Sequence, residues 1–363
     1  MSSTSRVPPA RLARLVERIR HLLLRLHQRL VPAPAAMMEM IVATWISQSI
    51  TAAAQLGIAD ALADGPLPVA ELASRVGADA DALNRLLRAL VSRGVFRQRH
   101  DARYELNSLA RTLCSDAPVS LTHAAQFYGS REQRERWTEL VESIRTGNTV
   151  VPGLRGKEAF DYFADKPELA ELFNQTMTSI SNLTLAPVVA GYDFSHYATV
   201  VDVGGGHGSL LAAILEAAPD SRGILYDLPS VVADAPKVFC EHNVADRVHI
   251  TEGSFFDQIP DGGDAYVLKN IMHDWADEKA IKILRNVRAA ADARATVLLI
   301  EFVIPEHHRD FPGKWVDLEM LLNLGARERT AAEYGDLLGK AGFRITRVVQ
   351  TASPLSVVEA RVG

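Results

Sequence analysis

The stretch Val200-Val-Asp-Val-Gly-Gly-Gly-His-Gly-Ser209 constrains the fold more than any other part of the chain. β-Favouring residues around Asp202 run into Gly204, Gly205, Gly206 and Gly208. Leu210, Leu211, Ile214 and Leu215 then repeat at helical spacing. A buried strand, a tight turn and a helix start are expected in that order. Glycines let a backbone turn sharply and let a ligand lie against it. The spacing is not the full G-x-G-x-x-G of dinucleotide folds, because Gly208 comes one position early, so the turn alone is a weak pointer to a ligand. The next apolar run, Gly223-Ile-Leu-Tyr-Asp227, sharpens it. It ends in a carboxylate about 20 residues past the turn, where an open α/β sheet places the acid that binds two ribose hydroxyls. Asp227 alone reads as a solvated strand end; with the glycine turn, ribose binding is the better reading.

From residue 198 onward strands and helices alternate, the pattern of a doubly wound, mostly parallel sheet. Strands are expected at 199–203, 223–226, 248–251, 265–268 and 296–300, with 343–349 and 355–360 as an antiparallel pair at the sheet edge. Before this, 37–60 reads as apolar helix, where Met37, Met38 and Met40 suit core or dimer packing. Segments 67–76 and 80–93 read as short helices. Residues 94–96 and 104–106 flank the polar turn His100-Asp-Ala-Arg103 as a hairpin, completing a winged helix. Its Arg85, Arg88, Arg93, Arg97 and Arg99 suit either phosphate or a solvated or subunit-facing surface. Residues 116–190 read as all-helical. Trp137, Leu140, Val141 and Ile144 are expected on one face, and Phe160, Phe163, Phe173, Met177 and Ile180 form a set that packs as core or lines a pocket.

The N-terminus differs in character. Residues 1–9 read as disordered, and 10–31 as a basic amphipathic helix stopped by Pro32 and Pro34. Leu12, Leu15, Val16, Ile19, Leu22, Leu23, Leu26 and Leu30 share one stripe, and Arg11, Arg14, Arg18, Arg25 and Arg29 lie mostly off it. Packing on its own body or on a partner chain is the first reading, and attachment to an anionic membrane surface the second. Residues 1–36 hold seven Arg and one Glu, so the rest of the chain carries −11 of the total net charge of −5. An acidic body argues against a nucleic-acid partner. The 363 residues suit two or three domains, and the 48% apolar content suits a large core. The two cysteines, Cys114 and Cys240, suit a reduced, cytoplasmic chain. No apolar run of about 20 residues is present to span a membrane. The divisions read as 1–36 (basic extension), 37–115 (winged helix), 116–190 (helical linker and pocket segment) and 191–363 (α/β domain).

Ligands of open α/β sheets sit at the carboxyl ends of the strands. Those ends read Gly204–Gly208, Asp227, Gly253-Ser-Phe-Phe256, Lys269–Trp275 and Glu301. Phe255 can lie on a purine and Ser254 can bond its edge. His273 follows a strand aimed at the same crevice. A lone histidine is usually structural, but a neutral imidazole there suits a base for a hydroxyl proton, with Glu301 and Glu328 able to orient it. A metal is not expected, since the sequence shows no close His/Asp/Glu ligand cluster apart from His273-Asp274.

Taken together, Asp202-Val-Gly-Gly-Gly-His-Gly208, Asp227-Leu-Pro229, Gly253-Ser-Phe-Phe256, His273-Asp-Trp275, Glu301 and Glu328-Arg-Thr330 resemble the dimeric S-adenosylmethionine-dependent O-methyltransferases of the plant caffeate type and their actinobacterial relatives. The resemblance covers roughly 37–363. It implies a Rossmann-like methyltransferase sheet with an antiparallel edge, preceded by a helical, winged-helix dimerisation domain. It implies that Asp202, Gly204, Gly206, Asp227, Leu228, Ser254, Phe255 and Lys269 hold the cofactor. His273 would be the general base, with Glu301 and Glu328 beside it. Phe173, Met177, Asp274 and Asn323 would meet a small hydroxylated, aromatic or polyketide-like acceptor, and the partners would be that acceptor and a second copy of the chain. Ser254 stands where the family usually has Asp, and helix 10–31 lies outside the pattern. Two other activities remain open: a cofactor-retaining hydroxylase or decarboxylase of the same fold, and a winged-helix DNA-binding regulator.

Overall fold

The computed structural model describes residues 7–363, apart from the side chain of Phe160. The disorder expected for 1–9 therefore lies, for residues 1–6, outside the described residues. The chain forms two compact units: Met1–Leu23 with Val141–Pro152 and Thr184–Gly363, and Leu24–Leu140 with Gly153–Leu183.

The first helices are α1 (Ala10–Arg29), α2 (Ala33–Ile41) and α3 (Ala43–Gln55). Pro34 occupies the first turn of α2, where its missing N–H costs nothing. In the second unit α4 (Val69–Val76) and α5 (Ala80–Ser92) follow, α5 capped by the Asp79 carboxylate accepting from Ala82 N at 2.8 Å. Leu72, Leu83, Leu87, Leu90, Phe96 and Tyr104 fill their core. The hairpin pairs β1 (Arg97–Gln98) with β2 (Tyr104–Glu105), so its first strand lies after the expected 94–96. Phe96 shows why: its φ of 63° is left-handed, and its ring is buried in the core, so strand pairing begins only beyond it. Trp137, Val141 and Ile144 do not form a buried face. The helix breaks at Glu139, and all three side chains remain exposed. Farther on, α6 (Pro167–Gly191) carries Phe173, whose ring stacks on Phe163 at 4.9 Å between centroids.

In the first unit the main sheet contains β3 (Thr199–Val203), β4 (Arg222–Asp227), β5 (Val248–Glu252), β6 (Ala265–Lys269), β7 (Thr296–Ile304), a short β8 (Arg329–Thr330), β9 (Phe343–Gln350) and β10 (Leu355–Val362). The order is β5-β4-β3-β6-β7-β10-β9, with β8 beside the end of β7. The first five run parallel, and β10 runs antiparallel between β7 and β9. Thus β9, not the last strand, forms the edge. The pleat sends Val200 to one buried cluster and Val201 and Val203 to the other, so helices must cover both faces. Helix α7 (Ser209–Ala217) does so on one face, and α8 (Asp277–Ala290) and α10 (Ala331–Lys340) on the other, with α9 (Pro312–Leu324) between β7 and β8 in the chain. From β3 the chain first builds outward through β4 and β5, then crosses to β6 and β7 on the other side. That reversal opens a crevice at the carboxyl ends of β3 and β6.

Candidate active site

The glycine turn after β3 and the loop after β6 meet at this crevice. Gly204 has φ 70°, and a Cβ there would lie 2.6 Å from Ile271 Cδ1 and 3.4 Å from the Phe255 ring. Gly206 also has positive φ, at 61°. Its N–H donates to Asp227 Oδ2 at 2.9 Å, and the Leu228 N–H donates to Asp227 Oδ1 at 2.7 Å. The strand-end carboxylate is thus tied to the glycine turn. The neighbouring Leu228 leaves its side chain 48% exposed. Beneath the turn Asp202 is buried, and its Oδ2 has no hydrogen-bond partner. Burial pushes its pKa up to about 7, against the pull of Lys269. Burial lowers the ammonium pKa of Lys269, and Asp202 and Glu301 oppose that shift. Ser254 Oγ accepts from Phe256 N at 3.2 Å, and Phe255 packs edge-on to Trp275 and Phe256.

The second half of the crevice is a buried acid–base cluster. His273 lies in the one-turn 3-10 helix Met272–Asp274 that follows β6. Its Nδ1 faces Glu328 Oε1 at 2.7 Å, Glu301 Oε2 is 3.9 Å from Nδ1, and Asp274 Oδ1 is 3.4 Å from Nε2. Burial alone would lower the imidazole pKa, but Asp274, Glu301 and Glu328 outweigh it and raise it to about 10. Burial lifts Glu301 to about 7, His273 opposing and Glu328 reinforcing the shift. Asp274 is raised too, chiefly by burial.

The two glutamates have different tasks. Glu328 bonds the ring. Glu301 Oε1 accepts the backbone N–H groups of Ile271 and Met272 at 2.9 and 2.8 Å, which fixes the turn that carries His273. Glu301 does not follow its strand, as expected from a strand ending at 300. Strand β7 runs on to Ile304, and Glu301 pairs with Ser356 of β10 inside the sheet. His273, Glu301 and Glu328 bring three ligand-type atoms within 4.8 Å of one another. This corrects the expectation of no such cluster beyond His273-Asp274; 27 to 55 residues of sequence had hidden it.

Two residues that sequence reasoning missed complete the site. The buried Arg329 guanidinium donates to Met272 O at 2.8 Å, Trp275 O at 2.9 Å and Asp277 Oδ1 at 2.8 Å, clamping the loop around His273. Asp317 on α9 accepts the Glu328 N–H at 2.9 Å. Neither stands out in the sequence: Arg329 lies in the charged run Arg327-Glu-Arg329, and Asp317 on a helix that also carries Lys314 and Glu319. Asn323 is buried on α9 and donates to Glu319 of the same helix. Phe173 and Met177 stand on α6 in the second unit.

A strand order that reverses beside a glycine turn, with the strand-end carboxylate of Asp227 and the buried imidazole of His273 on one crevice, is that of a Rossmann-like domain. Residues 137–344 match the O-methyltransferase domain model and residues 38–116 the O-methyltransferase dimerisation domain model, and the chain belongs to this S-adenosylmethionine-dependent O-methyltransferase family. It is 42% identical over 331 residues to the phenazine O-methyltransferase PhzM of Lysobacter antibioticus, spanning 91% of this chain and 97% of that relative. It is 36% identical to the mitomycin biosynthesis 6-O-methyltransferase of Streptomyces lavendulae, over 89% of this chain and 93% of the relative. The S-adenosylhomocysteine-bound structure of CalO1, a methyltransferase in calicheamicin biosynthesis, superposes with a TM-score of 0.82 at 33% identity, over 91% of this chain and 98% of that one.

Proposed function

We propose that this enzyme methylates a hydroxyl of a small aromatic secondary metabolite, with His273 as the general base. One observation carries the reading most directly. Glu328 holds Nδ1 from the buried side, so the neutral ring carries its proton there and presents Nε2 as acceptor. The residues of the crevice suit S-adenosylmethionine. Asp227 is anchored by backbone N–H groups and matches a ribose diol. Leu228 leaves an uncovered apolar side chain beside it, and the Gly204 turn has no room for a side chain of its own. Gly204, Gly206 and Asp202 would border its methionine part, Ser254 and Phe255 its adenine, and Lys269 the space between cofactor and base. When bound, that cofactor supplies the methyl group.

His273 takes the acceptor's proton on Nε2, and the surrounding carboxylates stabilise the imidazolium that forms. Asp274, beside Nε2, orients the acceptor hydroxyl. Asn323 borders the acceptor in the first unit. Proton transfer of this kind is worth about 10²–10⁴ in rate, and alignment of the two reactants supplies several kcal/mol more. This reading assigns no metal to the cluster, because Nδ1 of His273 holds the proton shared with Glu328 Oε1 and is not free to act as a ligand. The chain works as a homodimer in this reading, through its dimerisation domain.

The test is His273→Ala. Calorimetry with S-adenosylhomocysteine is expected to give wild-type affinity, while single-turnover methyl transfer to a phenolic acceptor falls by about 10²–10⁴. Full activity in this variant overturns the assignment. Mass spectrometry of the wild-type product is expected to show a gain of CH₂; a gain of one oxygen would mark a hydroxylase. Turnover is expected to survive dialysis against EDTA.

A further inference from the structure

Helix α1 presents itself the wrong way round for a helix that packs on its own chain. A surface helix turns its apolar stripe inward and its charges to water. Over Ala10–Leu23, the part of α1 in the first unit, the hydrogen bonds to the rest of that unit come from polar side chains: Arg14 bonds Gln350, and His21 Nδ1 accepts the Asp310 N–H at 3.4 Å. The stripe points away. Leu12, Leu15, Ile19, Leu22, Leu26 and Leu30 are each between 47% and 74% exposed, and no residue of α1 is buried. An apolar surface of this extent marks an interaction site.

Farther along the chain Met38, Ile41 and Trp45 are each at least half exposed as well, in the region matched by the dimerisation domain, which begins at residue 38. Helix α1 itself lies outside both family matches. Charge points the same way. α1 carries six Arg and one Glu, while the chain beyond residue 36 carries a net −11, so the basic arm complements a body of its own kind. An acidic body opposes an anionic lipid surface.

We propose that the leucine stripe of α1 docks on a second copy of this chain, as an arm that extends the family dimer interface. The arm's polar edge stays on its own protomer while its stripe covers apolar surface of the partner.

The test uses the full chain carrying Leu15→Glu, Leu22→Glu and Leu26→Glu together. All three positions are exposed in the single protomer, so far-UV circular dichroism is expected to be unchanged. Sedimentation equilibrium is expected to show the dimer dissociation constant raised at least tenfold. In parallel, a photo-crosslinker at position 22 of the otherwise wild-type chain is expected to yield a covalent dimer, which keeps the proposal testable if the triple variant misfolds. An unchanged dissociation constant, a monomeric wild type, or crosslinks confined to one chain would each overturn the proposal. So would flotation of the wild type with phosphatidylglycerol vesicles at an unaltered dimer constant, which would assign the stripe to membrane instead.

Discussion

Glu328 and Glu301 lie on either side of one imidazole, yet their partners separate them. Glu328 touches the ring, and Glu301 touches the backbone that carries it. Three carboxylates hold the imidazole pKa near 10, so at neutral pH the protonated ring predominates and cannot accept a proton. kcat/KM is therefore expected to keep rising with pH through neutrality toward about 10, rather than levelling off near 6.5. Glu328→Gln removes one anion that stabilises the imidazolium. The acid limb should then move to lower pH, which a titrating phenolic acceptor would not do; an unmoved limb in the pH profile would exclude His273 as its source. Gly204→Ala places a Cβ in left-handed backbone and against Ile271 Cδ1. Strain of about 1–3 kcal/mol is expected there, with S-adenosylhomocysteine affinity lowered at least tenfold by calorimetry.

At the scale of elements, the loop from β6 to α8 is held by one buried side chain. Arg329 satisfies two carbonyls of that loop and an Asp at the start of α8. Arg329→Met removes the guanidinium donor from both carbonyls, at about 1–3 kcal/mol in all. Urea unfolding is expected to report that loss, and kcat to fall more than cofactor affinity because the turn carrying His273 loosens. Arg329→Lys should behave similarly, since an ammonium lacks the planar fork that reaches three acceptors. The next residue begins α10 with a capping box, Thr330 and Glu333 each bonding the other's backbone N–H. Thr330→Ala is expected to cost about 1 kcal/mol in the same unfolding measurement. Elements were readable where local pattern and burial agree: β3 begins and ends at Thr199 and Val203 as its apolar run does. They were misread where a tertiary contact overrides the pattern. Phe96 enters the core in left-handed backbone and delays the hairpin, and pairing with β10 as far as Phe302 and with β8 beyond it carries β7 to Ile304.

Across the whole molecule, charge separates the possible partners. In the wing Arg97 pairs with Glu105, and Arg99 lies near Asp101 and Glu105, so these guanidinium groups already face acids. Duplex DNA is expected not to bind even at low salt, in a titration where a basic winged helix would bind strongly. No single helix among the described residues is long and apolar enough to cross a membrane. Sequence alone determined the strand–glycine–helix unit, the acid at the end of β4 and the helix-then-sheet division, because these follow from local periodicity and from the backbone freedom of glycine. Tertiary structure decided which glutamate bonds the imidazole and which holds its loop, that Arg329 clamps that loop, and that the leucines of α1 face outward. Each of these depends on groups far apart in the chain, or on which side of an amphipathic helix meets its neighbour, and periodicity defines a face without saying what lies against it.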